Sequence, residues 1–459
     1  MSEGPSLTRE QLQQMVNDQE INTVVAIFPD LYGRLMGKRF DATYFLESTL
    51  DDGTHACNYL LTVDMEMEPV GGYQFANWDR GYGDFHLAPD LDTLRVANWL
   101  PMTAVVICDV TCESSHELLP IAPRSLLKSQ VAQLAEIGYT AQTASELEYY
   151  LFENSYQSLG REGFQQLEPS SWYIEDYHML QGSRDEVYNQ RLRQALTLSG
   201  IPVESSKGEW GRGQQELNIR HGEVLEMADR HVLLKQCAKE LAQQMECSVT
   251  FMAKQSDQMA GSSSHIHLSL WDQEQATNVF VGDETLDSIR CSDTFRWFLG
   301  GWIAHAAEFM VFYAPNVNSY KRFQSGSWAP TMLAWSADNR TAGFRIVGSG
   351  SSLRIECRIP GADCNPYLAY TGLLASGIDG IANKIEPPAA FAGNAYNADS
   401  GQLPTDLKSA TELFAGSDFV QRVLGADVTE HYAHFFRTEQ AAYDQAVTDW
   451  ELKRYFERI

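Results

Sequence analysis

Three short segments of the 459-residue chain carry polar or charged residues two positions apart. SELEYYLF holds Glu146 and Glu148, HIHLSLW holds His265, His267 and Ser269, and LRIECRI holds Arg354, Glu356 and Arg358. Apolar residues fill the positions between them: Leu147, Ile266, Leu268, Ile355 and Cys357. Residues i and i+2 of a β-strand share a face, so each segment predicts a strand with one polar and one apolar side. A fourth segment, ESSKGEWGRGQQEL, adds Glu204, Glu209 and Glu216 in a glycine-bearing loop. If the strands are neighbours, their polar faces line a site of carboxylates, imidazole and guanidinium. The plainer alternative is an amphipathic sheet with solvated ion pairs. It accounts for any one strand but poorly for the set, because a solvated face seldom uses His-x-His or flanks Glu with two Arg.

Several carboxylates with an imidazole are hard ligands suited to Mg²⁺ or Mn²⁺ rather than zinc. Without cations, so many glutamates at close range would repel one another and protonate. Two divalent ions would offset that repulsion. Arginines beside them imply an anionic substrate, a carboxylate or a phosphate. NSYKRF adds Lys321 and Arg322, and NRTAGFRIVGSGSS adds Arg340 and Arg345 ahead of a Gly/Ser turn. Walker A, GxGxxG, GxSxG and HExxH patterns do not occur, which removes P-loop, Rossmann, hydrolase-elbow and zincin readings.

The elements that must position these residues follow from pattern. Thr8 followed by REQLQQMVN predicts a capped first helix. TVVAIFPD and RLMGKRF predict strands of a small antiparallel sheet, and TAVVICDV (103–110) a strand that closes the first unit. Residues 71–93, rich in Gly, Asp and aromatics, read as a long functional loop. Pro120 and Pro123 mark a boundary, giving domains 1–115 and 116–459. Beyond it, strands alternate with longer helices, including 226–245 and 367–382. The fold class is α+β.

Composition sets outer limits. The chain has 61 acidic against 34 basic residues, a formal charge of −27, and 44% apolar residues. That charge argues against nucleic acid or an anionic membrane surface as partner. The length suffices for a large core without disulfides, and the eight cysteines form no CxxC pair, so buried reduced thiols are expected. The N-terminal MSEGPSLTREQ has neither a basic run nor an apolar core, so no secretory signal is expected. The apolar window Trp297–Pro315 is broken by His305 and Glu308 and reads as a buried helix. A cytoplasmic location is the expectation.

With these residues in hand, the chain resembles the glutamine synthetase family from about residue 20 to the terminal VTDWELKRYFERI. The resemblance rests on the ExE pair, the E-x₆-E loop, GSSSHIHLSL, NSYKRF…AP, NRTAGFR and RIECRIPGADCNPYLAY, in the family order. It implies an N-terminal β-grasp-like domain and a catalytic domain with an antiparallel sheet and surrounding helices. It also implies a homo-oligomer of stacked rings, a dodecamer, with each active site between neighbours. Two or more Mg²⁺ or Mn²⁺ ions would bind, one at Glu148, Glu209 and Glu216 and the other at Glu146, His265 and Glu356. ATP would meet Glu204, His267, Ser269, Arg340 and Arg345. L-Glutamate would meet Gly261, Arg322 and Arg358, with Arg340 and Arg322 also catalytic, and Trp328 is expected to join them from the flap. The implied reaction moves the γ-phosphate of ATP to the glutamate side chain and then joins the γ-glutamyl group to an amine.

Departures from the family pattern point to the amine. In glutamine synthetase proper, an aspartate in a DGSS-like segment and a glutamate in the flap after NSYKR serve ammonium. Here the first segment reads EPVGGYQFANWDRGYGD, and Trp328 stands at the flap position. A carboxylate attracts and deprotonates ammonium, whereas an indole offers an apolar wall or a cation–π face. The expected acceptor is therefore a primary amine larger than ammonia, alkyl or aromatic, such as isopropylamine or aniline. The alternatives are ordinary glutamine synthetase, a γ-glutamylpolyamine or γ-glutamylethanolamide ligase (with Asp64, Glu66 and Glu68 available to a polyamine), and a structural pseudo-enzyme. Ser351 and Ala260 replace a lysine and an asparagine frequent in the family. Tyr396 lies in GNAYNADSG, unlike the adenylylation loop NLYDLP, so that regulation is not expected.

Overall fold

The computed structural model describes residues 6–399 and 401–459. The first five residues of the N-terminal stretch and Ser400 of the Tyr396 segment lie outside the described residues. Thr8 caps the helix Arg9–Asn17 through a reciprocal box in which its side chain accepts from the Gln11 amide and Gln11 Oε1 accepts from the Thr8 amide at 2.8 Å. Two sheets follow.

The first contains β1 (Thr23–Pro29), β2 (Leu35–Asp41), β3 (Thr54–Cys57), β4 (Asp84–Pro89), β5 (Arg95–Val96) and β6 (Thr103–Thr111), in the order β2-β1-β6-β4-β3 with β5 also on β6. It is mixed rather than antiparallel, because β1 and β6 run parallel with Val24 opposite Ala104. TAVVICDV does not close this unit at an edge but runs through its middle. All but one of the nine residues of β6 are buried, as a strand covered on both faces requires. The segment read as a loop at 71–93 contains β4, whose His86, Leu87 and Ala88 pair with β6.

The second sheet contains β7 (Tyr139–Phe152), β8 (Val203–Gly208), β9 (Gln214–Ile219), β10 (Gly222–Glu223), β11 (Ser248–Thr250), β12 (Ser264–Asp272), and, after a separate hairpin β13 (Glu284–Leu286) and β14 (Ile289–Cys291), β15 (Trp335–Ala337), β16 (Phe344–Val347) and β17 (Arg354–Cys357). Its order is β15-β16-β17-β12-β7-β9-β8, with β10 and β11 also on β7. All pairings are antiparallel except β15 with β16.

Alternation along β7, β12 and β17 sorts their side chains. Leu147, Tyr149, Ile266, Leu268, Ile355 and Cys357 are buried on the apolar side. Ser145 on that side meets His231 Nδ1 of the helix Val224–Gln244 at 3.0 Å. The helix Pro366–Asn383 packs against Asp293–His305 so closely that a Cβ on Gly301 would lie 2.3 Å from Ser376 O, and one on Gly380 would lie 2.1 Å from Trp297 O. Glycine is required at this crossing. The apolar window reads as two helices, Asp293–His305 and Met310–Tyr313, and among the described residues no helix is long and apolar enough to cross a membrane.

Arg124, on the helix Pro123–Glu136, joins the two halves. Buried at 3% exposure, it meets Asp90 at 2.8 Å and Asp109 at 2.5 Å from the first unit and Asp229 at 2.9 Å from the Val224–Gln244 helix. Three carboxylates around one guanidinium give this junction a fixed, bidentate geometry. All eight cysteines are free thiols.

Candidate active site

The register of the second sheet brings the charged positions together. His265 faces Glu146, His267 faces Glu356, Glu148 faces Glu216 and Arg345 faces Glu356 across adjacent strands. Antiparallel neighbours hold such pairs about 5 Å apart. Two groups of acids and imidazole result, Glu148–Glu209–Glu216 and Glu146–His267–Glu356, each with ligand atoms within 4.8 Å of one another.

The first group is a pure carboxylate cluster. Glu148 and Glu216 are buried, and Gln214 Nε2 and the Ser263 amide donate to Glu148 Oε2 at 3.1 and 2.8 Å. Burial, followed by repulsion from Glu209, pushes Glu148 up to about 7 and Glu216 up to about 9. Lys207, opposite Glu216 in the register, pairs with Glu209 and lies 3.8 Å from Glu216. A single ammonium thus partly fills a position where three carboxylates converge. That is the donor set of a hard divalent cation.

The second group is arranged differently. Arg345 and Arg358 donate to the two oxygens of Glu356 at 2.8 and 2.5 Å. Burial would raise Glu356, but the His265 and Arg358 charges outweigh it and hold the acid below the usual carboxylate range. Glu146 is likewise lowered, burial being overcome by hydrogen bonds from His265 at 3.2 Å and His267 at 2.9 Å. Distance favours His267 over the expected His265 as the imidazole of this group. Protonation favours the reverse: Arg354 Nε donates to His267 Nδ1 at 3.2 Å, leaving Nε2–H to donate towards Glu146, whereas buried His265 Nε2 has no partner among the described residues. His265 Nδ1 also lies 3.8 Å from Glu356. Both imidazoles therefore belong to the site. Carboxylates, one imidazole and an orphaned ring nitrogen fit Mg²⁺ or Mn²⁺.

Three cavities meet at Glu146, with volumes of about 490, 910 and 440 Å³. The first contains Glu148, Glu209, Glu216, Gly261, Arg322, Trp328, Arg340, Arg345 and Arg358, so the expected glutamate and flap residues share one space. Glu204, Ser269 and His267 line the third, together with Ser351. The second runs from Glu146 and His267 to the Gly348–Gly350 turn, where both glycines have positive φ. A Cβ on Gly261 would come within 2.7 Å of Arg322 Cγ and Ala253 O, so only glycine lets the arginine pass.

Two of the expected glutamate contacts differ in kind. Arg322 is 1% exposed and donates to Ile359 O, Ser263 Oγ and Arg358 O at 2.7, 2.8 and 2.9 Å, so it braces the base of the flap. Arg358 lines the first cavity and retains a buried Nε–H with no partner among the described residues. It is the less committed of the two guanidiniums.

Trp328 has φ +65° and is 48% exposed, and its ring lies 5.9 Å from that of Trp210, itself 47% exposed. Tyr177 completes this aromatic rim, with Lys207 Nζ 4.5 Å over its ring, and Asp176 stands beside it. Sequence reading passed over Lys207, Trp210, Asp176 and Tyr177. Lys207 and Trp210 lie inside the quoted ESSKGEWGRGQQEL segment, flanking Glu209, and that position was the available signal. Asp176 and Tyr177 lie in an aperiodic stretch that gives none.

Residues 120–455 match the model of the glutamine synthetase catalytic domain. The chain is 45% identical over 455 residues to a γ-glutamylethanolamide synthetase of Streptomyces coelicolor, covering 99% of this chain and 97% of that protein. It is 35% identical over 452 residues to a glutamate–isopropylamine ligase of a Pseudomonas species, covering 98% of both. Among solved structures, a GmaS/ADP complex superposes with a TM-score of 0.84 at 27% identity, over 97% of this chain and 99% of that one. The chain belongs to the glutamine synthetase family, in its γ-glutamylamide ligase branch.

Proposed function

We propose that the protein is an ATP-dependent ligase joining the γ-carboxyl of L-glutamate to a primary amine larger than ammonia. The observation that carries this reading is the Trp210–Trp328 pair on the wall of the cavity that also holds the glutamate cluster and Arg358. Two indoles give an amine with an apolar body a surface to pack against and keep water from the reacting acyl group. Arg358 holds a glutamate carboxylate, and Arg340 and Arg345 face the phosphate being moved. The groups Glu148–Glu209–Glu216 and Glu146–His265/His267–Glu356 would hold divalent metals, which would supply charge neutralisation on ATP and glutamate. A glutamate side-chain oxygen bonds to the γ-phosphorus as the bond to ADP breaks. The amine nitrogen then bonds to the acyl carbon, and phosphate and a proton leave.

A short alkylamine is the first choice of acceptor. Ethanolamine is the second reading, favoured by the 45% identical ethanolamide-forming relative. The family resemblance supports assembly as stacked rings of subunits, which light scattering on the purified protein would measure. The functional test is phosphate release with Mg·ATP and glutamate, offered ammonium, isopropylamine, aniline, ethanolamine and putrescine. Fastest turnover with one of the larger amines is expected. Fastest turnover with ammonium would overturn the reading in favour of ordinary glutamine synthetase, and none with any amine in favour of a structural role.

A further inference from the structure

A cavity of about 840 Å³ lies between the β1–β2 turn, the Val224–Gln244 helix and the segment Pro315–Asn318, and shares no lining residue with the three cavities of the active site. Three lysines line it: Lys235 and Lys239 from the helix, and Lys321. Lys128, Lys207 and Lys453 elsewhere in the chain pair with carboxylates, whereas Lys38 and Lys254 bond to backbone carbonyls and Lys384 lies over the Trp297 ring. None of the three cavity lysines makes an ion pair among the described residues. Lys235 Nζ has one acceptor, Ala362 O at 2.8 Å, and Lys235 and Lys239 otherwise lie 5.4 and 6.0 Å from the Phe251 ring. Lys321 Nζ lies 5.7 Å over Tyr443.

Lys235 and Lys239 are four residues apart on one helix, so their side chains share a face and their charges repel. Burial pulls the Lys235 ammonium below its ordinary range. Lys239 is solvent-exposed along part of its length, yet desolvation of its ammonium and the Lys235 charge bring it down to about 8. Other charged groups on the wall are engaged or distant. Arg34 holds Asp30 at 2.7 Å and Met65 O at 2.7 Å. Asp363 accepts from Ser319 and Asn316 at 2.6 and 3.1 Å. Glu439 is raised by burial and by repulsion from Glu66 and Asp64. Asp363, whose Oδ1 has no hydrogen-bond partner among the described residues, acts on Lys235 through its charge but makes no ion pair with it, and burial still outweighs that charge.

We infer that this cavity is a binding site for a small oxyanion, a carboxylate or a phosphate group, bridged between the Lys235 and Lys239 ammoniums. The bridge removes the like-charge repulsion along the helix and gives both ammoniums the direct ion pair that neither has within the chain. The inference does not depend on the proposed reaction, because no residue of the site belongs to the active-site cavities.

Trace acetylation of the whole protein, read peptide by peptide in a mass spectrometer, tests it. Sodium succinate and sodium phosphate are compared with sodium chloride at equal ionic strength, with exposed Lys408 and Lys453 as internal controls. Labelling of Lys235 and Lys239 should slow about tenfold once the anion reaches about ten times its Kd, with the controls unchanged. Slowing by succinate alone identifies a carboxylate site, and by phosphate alone a phosphate site. Lys239→Gln, checked for an unaltered melting curve, should abolish the protection of Lys235. No slowing with either anion, equal slowing at the controls, or full protection of Lys235 in the Lys239→Gln variant would each overturn the assignment.

Discussion

The two acidic groups of the active site sit on one sheet, a strand apart, yet the protein prepares them in opposite ways. Glu148, Glu209 and Glu216 have one ammonium among them, and Glu148 and Glu216 are pushed up to about 7 and about 9. Glu146 and Glu356 are surrounded by His265, His267, Arg345 and Arg358 and are held below the usual carboxylate range. Three donors in each case therefore mean different things. The acids of the first group repel one another, whereas the second is already neutralised by side chains that line the same cavities. A metal would gain most charge relief at the first group and would share its ligands with arginines at the second.

The largest effect that could break this contrast is loss of a ligand. Glu356→Ala and Glu148→Ala should each lower phosphate release by on the order of 10³-fold or more, from the loss of several kcal/mol of charge stabilisation. Wild-type rates in either variant would refute its assignment. The variants should also differ when metal-free. Glu356→Ala leaves Arg358 buried without its carboxylate, Arg345 keeping Asp338, and should lower the melting temperature, while Glu148→Ala removes a repelling acid and should lower it less.

Stability against pH separates the groups by sign. In the metal-free protein, Glu148 and Glu216 hold protons that the unfolded chain, with carboxylates near 4.5, has already released. That contribution to stability is present at acidic pH and is lost as pH rises through about 7 and about 9. Glu146 and Glu356 behave oppositely, stabilising above the unfolded carboxylate range and losing that effect as pH falls. The melting-temperature gain on adding Mg²⁺ should therefore grow between pH 6 and pH 9 in wild type and shrink in Glu216→Gln. A pH-independent gain would place the metal away from the first group.

Lys207→Met sharpens the same point with a smaller effect. Removing the resident ammonium should destabilise the metal-free protein and lower the Mg²⁺ concentration for half-maximal activity, by about threefold to tenfold, since metal no longer competes with it. The smallest change expected is at the rim. Trp328→Glu should raise kcat/KM for ammonium by about tenfold, worth about 1.4 kcal/mol, and lower it for isopropylamine.

What could be read from sequence was whatever a period-two pattern carries. Glu146, Glu148, His265, His267 and Glu356 announce shared strand faces, and the register then dictates which of them meet. Glu209 was legible only through its place beside glycines and Glu216. The mixed character of the first sheet was not legible, because parallel β1–β6 pairing depends on a chain reversal that no local residue encodes. Nor was the division between His265 and His267, which turns on the Arg354 hydrogen bond and not on spacing. Asp176 and Tyr177 reach the rim through a segment without periodicity, where only tertiary structure assigns a role. The lysine-lined cavity escaped for a similar reason: its parts come from a turn, a helix and a loop far apart in the chain.

Arg322 has a consequence for how such an enzyme changes over generations. Its three hydrogen bonds pin the flap where it leaves the scaffold, to Ser263 and to the chain following β17, while Trp328 stands six residues beyond that anchor. The flap is thus anchored apart from the strand faces that carry the acids, and Trp328, half exposed at its tip, is a position where a side chain can change without repacking those strands. Under the proposed reaction, choice of acceptor can then drift across a lineage while the acid-bearing strands stay fixed.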